Sequence, residues 1–391
     1  MANVAETPCA RCMGLDRSPA AEASLAARDG SASVTESADR ADSSGHSCDS
    51  WGKRPKATER TDCTDGGGVW RASSGTAAVL GLRPTPMDAA PTTAYLMLGE
   101  RCLRNCAFCA QARESRADVS ALSRVLWPPF PREEVATAIA AAAREGRIRR
   151  ACFQVTVGRE HIAETEEAVA LLAAASDVPI CASVAPRDLA DVARLLEAGA
   201  ERVTISLDAA TEAVYRRTKG GRWARGCALL EEAAAAFPGR IGTHLIVGLG
   251  ETEQEAIARI SGLLAMGVRV ALFAFTPVRG TPLAGAPPPP LAAYRRVQAA
   301  LWLLARGLAS AEAFRYRDDG ALATFGLPEA VLGDLLAGGD AFRTSGCPDC
   351  NRPYYNERPG GVMYNYPRPL TPSEAEDEVT ALLCGLEKRR S

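Results

Sequence analysis

Between residues 92 and 308, short apolar runs alternate with Ala- and Leu-rich amphipathic stretches six times over. This alternation restricts the fold more than any other feature of the chain. TTAYLML (92–98), RRACFQVTV (149–157), DVPICASV (177–184), ERVTISLD (201–208), RIGTHLIVGLG (240–250) and VRVALFAFTP (268–277) read as strands. Helical stretches separate them: 132–146, 161–175, Pro186 to Gly199, about 209–236, 252–267 with Thr252 as its cap, and 291–308 after a proline run. Strands that alternate with helices form a parallel sheet with the helices packed outside it. Right-handed crossovers close such a sheet into a full or partial barrel. Eight units are not visible, so the expectation is an α/β fold with a partial (β/α)6 barrel whose functional face lies at the C-terminal ends of the strands.

The flanks differ in texture. Residues 1–70 are rich in Ala, Ser, Asp, Gly, Arg and Thr and lack aliphatic periodicity, so this N-terminal tail is expected to be disordered, with Cys9, Cys12, Cys48 and Cys63 as incidental thiols. Residues 71–309 carry the barrel. Residues 310–391 form a loop-rich C-terminal extension dense in Pro, Gly, Asn and Tyr, followed by a short charged helix. With 45 Lys and Arg against 47 Asp and Glu, the chain lacks the basic excess that a nucleic-acid surface needs. No apolar run reaches membrane-spanning length, and no basic segment followed by an apolar one opens the sequence. Thirteen cysteines without an export signal point to the reducing cytoplasm and to metal binding rather than disulfides.

Three of those cysteines, Cys102, Cys106 and Cys109, fall in CLRNCAFC, the loop after the first strand. A structural zinc site wants four ligands, often two CxxC pairs, and only three histidines exist in the whole chain. A cubane [4Fe–4S] cluster normally takes four thiolates, so three from one loop leave one iron with an open position, the mark of a reactive site. The stretch CLRNCAFCAQ resembles the cluster loop of the radical S-adenosyl-L-methionine (SAM) superfamily. The resemblance implies that SAM chelates the open iron and is cleaved to a 5′-deoxyadenosyl radical. LIVGLGET (245–252) is similar to the fifth-strand signature of that superfamily, which implies SAM contacts around Ile246, Gly248 and Gly250. His244 stands where the signature usually begins with glycine, and no GGE-type stretch follows the second strand. Asp208 ends the fourth strand, where similar enzymes bind the SAM ribose; as a helix N-cap before AATEAV it is read equally well.

Within the superfamily the chain most resembles biotin synthase and its relatives, through CAFCAQ, LEAGAERVTISLDAA, IVGLGET and VRGTPLAG, over residues 93–285. Those enzymes take sulfur from an auxiliary [2Fe–2S] cluster held by strand cysteines and an arginine. Cys152 and Cys181 lie on the second and third strands, but Gly242 replaces the fifth-strand cysteine. The extension supplies Cys347 and Cys350 in SGCPDCNRPYYNERPGG, and this tail looks like that of the biotin-synthase-like subunits of the two-component lipoyl synthase. That resemblance implies sulfur insertion into an octanoyl chain on a lipoyl-carrier protein, with a second radical SAM subunit and a ferredoxin or flavodoxin as partners. It also implies a probable second iron–sulfur cluster on Cys347 and Cys350, with Cys152 as a third ligand. Cys181, Cys227 and Cys384 read as core or helix-face thiols. Arg352, Arg358, Tyr354, Tyr355 and Asn356 are candidates either for substrate binding or for satisfying loop backbone. Other readings stay open: a structural zinc in the CPxC tail, another radical SAM reaction such as biotin formation or methylation, or a non-catalytic metal-binding protein. An apolar barrel interior, lined by VALFAF, is expected for the alkyl chain.

Overall fold

In each of the central strands the side chains alternate between two environments, and this period of two organises the molecule. The computed structural model describes residues 68–357 and 360–387; the N-terminal tail with Cys9, Cys12, Cys48 and Cys63, and also Arg358, lie outside the described residues. The chain opens with β1 (Val69–Ala72), α1 (Ser74–Val79) and β2 (Thr93–Leu98), then a small hairpin of β3 (Ala121–Leu122) and β4 (Val125–Leu126), and β5 (Pro129–Pro131). Five αβ steps follow: α2 (Arg132–Arg144) and β6 (Arg150–Val155), α3 (His161–Ala175) and β7 (Ile180–Val184), α4 (Leu189–Glu197) and β8 (Arg202–Ile205), α5 (Glu212–Thr218) and α6 (Trp223–Ala236) before β9 (Ile241–Val247), and α7 (Glu253–Ala265) before β10 (Arg269–Ala274). After α8 (Leu291–Ala305) come β11 (Arg315–Tyr316), β12 (Leu322–Thr324), α9 (Glu329–Leu336) and α10 (Pro372–Cys384).

The sheet order is β10-β9-β8-β7-β6-β2-β1-β5. Its six strands from β2 to β10 pair in parallel, in sequence order, as the alternation predicts. The antiparallel pair β1 and β5 was not expected; β1 begins at Val69 and so crosses the boundary placed at residue 70. Two further boundaries differ. Helix α4 starts after Asp188, whose side chain accepts from the Asp191 N–H, rather than at Pro186, and the helical stretch 209–236 breaks into α5 and α6 at Gly220 and Gly221, both in the left-handed region. Thr252 does cap α7, in a reciprocal capping box with Glu255.

One set of alternating residues, among them Leu96, Phe153, Ala182, Val203, Leu245 and Leu272, packs under the helices in the main core. The other set lines the barrel interior: Tyr95, Arg150, Cys152, Gln154, Cys181, Arg202, Thr204, His244, Ala271 and Phe273. The interior thus sets charged and polar side chains among Tyr95, Ala271, Phe273 and the cysteines. Of VALFAF, only Ala271 and Phe273 face inward, because Val270, Leu272 and Ala274 are needed against the helices.

The extension packs with the barrel in one compact unit, Gly67–Ser391. It covers the open edge of the sheet, where Ser345 Oγ accepts from the Leu272 N–H at 2.8 Å and Arg352 Nη2 donates to the Leu272 carbonyl at 3.2 Å. Its second anchor is Arg295 on α8, only 2% exposed. The guanidinium binds both Glu378 oxygens on α10, at 2.7 and 2.6 Å, and donates from Nη1 to Gln298 Oε1 and the Tyr364 carbonyl, both at 2.6 Å. Removing one partner of a buried ion pair leaves an uncompensated charge, which costs about 3–5 kcal/mol. Arg295→Met should therefore lower the unfolding free energy by about that amount in urea titrations. Adding Glu378→Gln should restore part of it, and a loss under about 1 kcal/mol for the single variant would contradict this role.

Candidate functional site

The three-cysteine loop leaves the C-terminal end of β2 and is folded by an arginine. Arg101 donates from Nη1 to the carbonyls of Ala110, Ala112 and Ser115 at 3.3, 3.1 and 2.9 Å, and from Nη2 to Ala117 at 3.3 Å. Backbone bonds seat the loop: Cys102 N to the Gln111 carbonyl at 2.9 Å, Ala107 N to Thr218 at 2.6 Å, and Leu283 N to Ala107 at 3.2 Å. Cys102 Sγ accepts from the N–H groups of Arg104 (3.4 Å) and Val157 (3.3 Å). Burial pushes the Cys106 thiol up to about 11 and the Cys109 thiol up to about 12, so these sulfurs hold their protons until a metal displaces them.

Asp208 lies beside this loop, just past β8, with φ at 68°, a conformation that costs a non-glycine residue energy and marks functional positions. It is not the helix cap: Thr211 caps α5, accepting from the Val214 N–H at 3.3 Å. Instead Asp208 Oδ2 pairs with Lys219 Nζ at 2.6 Å, and Lys219 also donates to the Ser206 carbonyl. Both charges act on the Cys106 sulfur, Lys219 favouring its thiolate. The sequence reading missed Lys219. The signal was there: among four lysines in an arginine-rich chain, Lys219 is the one that lies among the described residues. Ile246 N donates to the Asp208 carbonyl at 2.9 Å, joining the fifth-strand signature to the same corner. Gly248 and Gly250 both have left-handed φ, 101° and 111°; an added Cβ would stand 2.8 Å from Pro289 in the first and 2.4 Å from Arg217 in the second. The half-buried Glu251 carboxylate accepts from Gly248 N (2.6 Å) and Leu249 N (3.1 Å), so this turn is held from within.

His244 sits deeper in the barrel, with Nδ1 3.1 Å from Ser206 Oγ and its ring edge-on to Phe273 at 5.0 Å. Burial, helped by Arg352 and Lys219 and opposed by Asp208, takes its pKa from 6.5 down to about 4. The folded chain refuses a proton that the unfolded chain accepts, so stability is full above the ordinary His range and falls as the pH drops from 6.5 through about 4. At about 1.4 kcal/mol per unit, the loss attributable to His244 approaches about 3 kcal/mol. His244→Gln should lack this part of the pH slope in denaturant titrations from pH 7 to pH 4; an unchanged slope would contradict the shift.

A second group of sulfurs lines the lower barrel. Tyr95, Cys152, Cys181 and Arg202 are register partners across β2, β6, β7 and β8, a single inward-facing row. The extension brings Cys347 and Cys350 into the same chamber. Tyr95 Oη lies 3.5 Å from Cys350 Sγ and accepts from the N–H groups of Asn351 (3.0 Å) and Arg352 (2.7 Å). Cys181, 2% exposed, interacts through its side chain with both Cys152 and Cys347, so it belongs to this group and is not an isolated core thiol. Cys227 and Cys384 lie on α6 and α10, away from this chamber. The remaining tail candidates are engaged by protein: Arg352 stacks on Phe273 at 3.8 Å, Asn356 Nδ2 donates to the Ala274 carbonyl and Thr276, Tyr354 donates to Asp88, and Tyr355 packs against Tyr95 and Trp127. Among the described residues, no group of three or more His, Cys, Asp or Glu side chains is placed to hold a single metal ion. A cluster spreads its thiolates over separate irons, so it accepts a wider set of sulfurs than one ion does.

Residues 96–260 match the family model described as the Radical SAM superfamily. Over those residues the chain is similar to the radical SAM superfamily. Comparison with curated proteins found no match. Solved structures similar to it include a methylornithine synthase (16% identity, 55% of this chain and 62% of that one, TM-score 0.43). Another is the FeFe-hydrogenase maturase of Carboxydothermus hydrogenoformans (20%, 55% and 51%, 0.44). A third is coproporphyrinogen III oxidase of Escherichia coli, itself a radical SAM enzyme (15%, 70% and 64%, 0.36). The alignments span less than two thirds of each of these chains. The matched family implies a [4Fe–4S] cluster and SAM, and the residues of the cysteine loop fit the cluster. The loop offers three soft sulfur donors, two N–H groups aimed at Cys102 Sγ and a cation near Cys106. No helix among the described residues is long and apolar enough to cross a membrane.

Proposed function

We propose that this radical SAM protein inserts sulfur into unactivated C–H bonds of an octanoyl chain held by a lipoyl-carrier protein, as one component of a lipoyl synthase. The observation that carries the reading is the presence of two cysteine groups in one barrel, Cys102, Cys106 and Cys109 at the C-terminal mouth, and Cys152, Cys347 and Cys350 in the chamber below it. When bound and reduced by one electron, the first cluster and SAM supply a 5′-deoxyadenosyl radical that removes a hydrogen atom from an aliphatic carbon. The second group would hold the cluster from which sulfur is taken. Asp208 and Lys219 supply paired charge beside the first loop, suited to the ribose hydroxyls and to the carboxylate of SAM respectively. Between the two groups Met97, Ile246 and Phe273 give an alkyl chain apolar contact, while the helices and the extension exclude water from it. A ferredoxin or flavodoxin would supply the electron, and a second radical SAM subunit would complete the dithiolane.

The test uses anaerobically reconstituted full-length protein with dithionite, SAM and an octanoylated carrier. Expected products are 5′-deoxyadenosine and a thiolated octanoyl chain, the latter with or without a second subunit added. No 5′-deoxyadenosine would remove the radical chemistry; 5′-deoxyadenosine without thiolation, or zinc in place of the second set of irons, would remove the sulfur insertion.

A further inference from the structure

The loops around the barrel mouth carry positive charge that the protein itself does not use. Arg104 and Arg116 follow β2, Arg159 follows β6, Arg222 precedes α6 and Arg279 follows β10; all five are exposed. Their side chains make no hydrogen bond or ion pair among the described residues. Backbone bonds draw these stretches together: Leu103 N to the Val157 carbonyl and Arg116 N to the Gly280 carbonyl, both at 2.8 Å, and Ala107 N to Thr218. The acids of the same loops are engaged. Glu114 accepts from Arg113 and Asn105, Asp118 from Ser120, and Asp208 and Glu212 pair with Lys219 and Arg216. Glu100 and Glu160 act on Arg71 and Arg187. The rim is therefore basic on a chain whose net charge is −2, and Leu103, 52% exposed, adds an apolar spot within it. Single exposed charges stabilise little, but a ring of one sign focuses a field that captures an oppositely charged partner.

We propose that this rim docks the acyl-carrier protein through an acidic face of the carrier, seated over the barrel mouth. The inference rests on the sulfur-insertion reading for the carrier and goes beyond it in naming the surface and the charge that recognises it. The extension covers the opposite end of the barrel, where Thr92 and Thr93 donate to the Asp349 carbonyl and Arg150 to the Pro348 carbonyl. A chain anchored to another protein thus reaches the interior from the mouth. A protein reductant needs to approach only the loop that carries the three sulfurs. The unpaired arginines instead stand on separate stretches that encircle the opening, which suits a partner that spans it and passes a chain through.

The test compares the anaerobically reconstituted full chain with a variant carrying Arg116→Glu, Arg159→Glu and Arg279→Glu. Arg104 stays in place because its charge reaches Cys106. Calorimetric titration with a purified octanoylated carrier at about 0.05 M salt should show at least about tenfold weaker binding by the variant, a difference that shrinks towards about 0.5 M salt. SAM cleavage without carrier should be unchanged when dithionite, which needs no docking surface, is the reductant. Carrier affinity untouched by the reversals, with thiolation intact, would overturn the surface and leave the sulfur-insertion reading standing. Slower reduction by flavodoxin at unchanged carrier affinity would give the rim to the reductant and equally overturn the proposal. A parent protein that neither binds nor thiolates the carrier would instead remove the reading beneath the inference. If the reversals do not fold, glutamine at the same three positions carries the test: at least about threefold weaker binding is expected, and unchanged affinity overturns the proposal.

Discussion

Alanine at Cys102, Cys106 and Cys109 together is expected to cut 5′-deoxyadenosine formation by more than about a thousandfold, or ~4 kcal/mol of barrier. All three sulfurs hang from a loop fixed independently of them, by the fan of bonds from Arg101 to four carbonyls and by backbone bonds to Thr218 and Leu283. The variant should therefore keep its fold, and its thermal unfolding should stay cooperative. What disappears is the set of soft donors, and among the described residues no group of three or more His, Cys, Asp or Glu is placed to take over. Among single variants, Cys102→Ala also strands the Arg104 and Val157 N–H groups, whereas Cys109→Ala loses a sulfur and little else. Product analysis after reaction with SAM and dithionite is the measurement. Turnover within tenfold of the parent would show that the loop is not the radical generator.

Replacing Cys347 and Cys350 by Ser should have the opposite selectivity. Both residues lie in the lower chamber with Tyr95, Arg150 and Arg352, away from the loop that ends β2. SAM cleavage should stay within about threefold of the parent, while thiolated product falls below detection, a loss of at least about a hundredfold or ~3 kcal/mol. The backbone hydrogen bonds of this turn, such as Cys350 N to the Cys347 carbonyl at 3.1 Å and Thr92 Oγ1 to the Asp349 carbonyl at 2.6 Å, do not depend on the thiols. Thiolation retained in the double variant would take the sulfur source away from this chamber, and loss of both activities would point to a general structural role for the turn.

The barrel was legible because its signal is local. Each βα unit declares itself through an apolar run and an amphipathic stretch, and six such units have one economical arrangement. The edge pair β1 and β5 was not legible, since VWRA and PFP are too short to show any period and two of the three residues in β5 are proline. The three-cysteine loop was equally plain, its residues being neighbours in sequence. The lower chamber was harder, because proximity there is created by register across strands. Cys181 looked like a small core residue from its own segment, ICASV, in which all five positions are buried. Only its pairing with Cys152 on one side and Arg202 on the other reveals the face it occupies. The inward row follows the same logic: in RACFQV the residues Arg150, Cys152 and Gln154 alternate with Ala151, Phe153 and Val155, a pattern readable once the sheet is known to have two packed faces. Asp208 could not be separated from a helix cap without seeing Thr211 take that place and Lys219 return to it.

The order of the sulfurs along the chain sets a clock on their meeting. Cys152 and Cys181 leave the ribosome with the second and third barrel strands, whereas Cys347 and Cys350 follow more than 160 residues later. Any group that needs all four is therefore completed only after synthesis has passed residue 350 and the final segment has closed over the floor of the barrel, held there by Arg295 and by Thr92, Thr93 and Arg150. The loop at the mouth has all its sulfurs by residue 109 and waits for nothing downstream except the strands that support it. The sulfurs of the mouth are therefore all in place along the chain well before those of the floor.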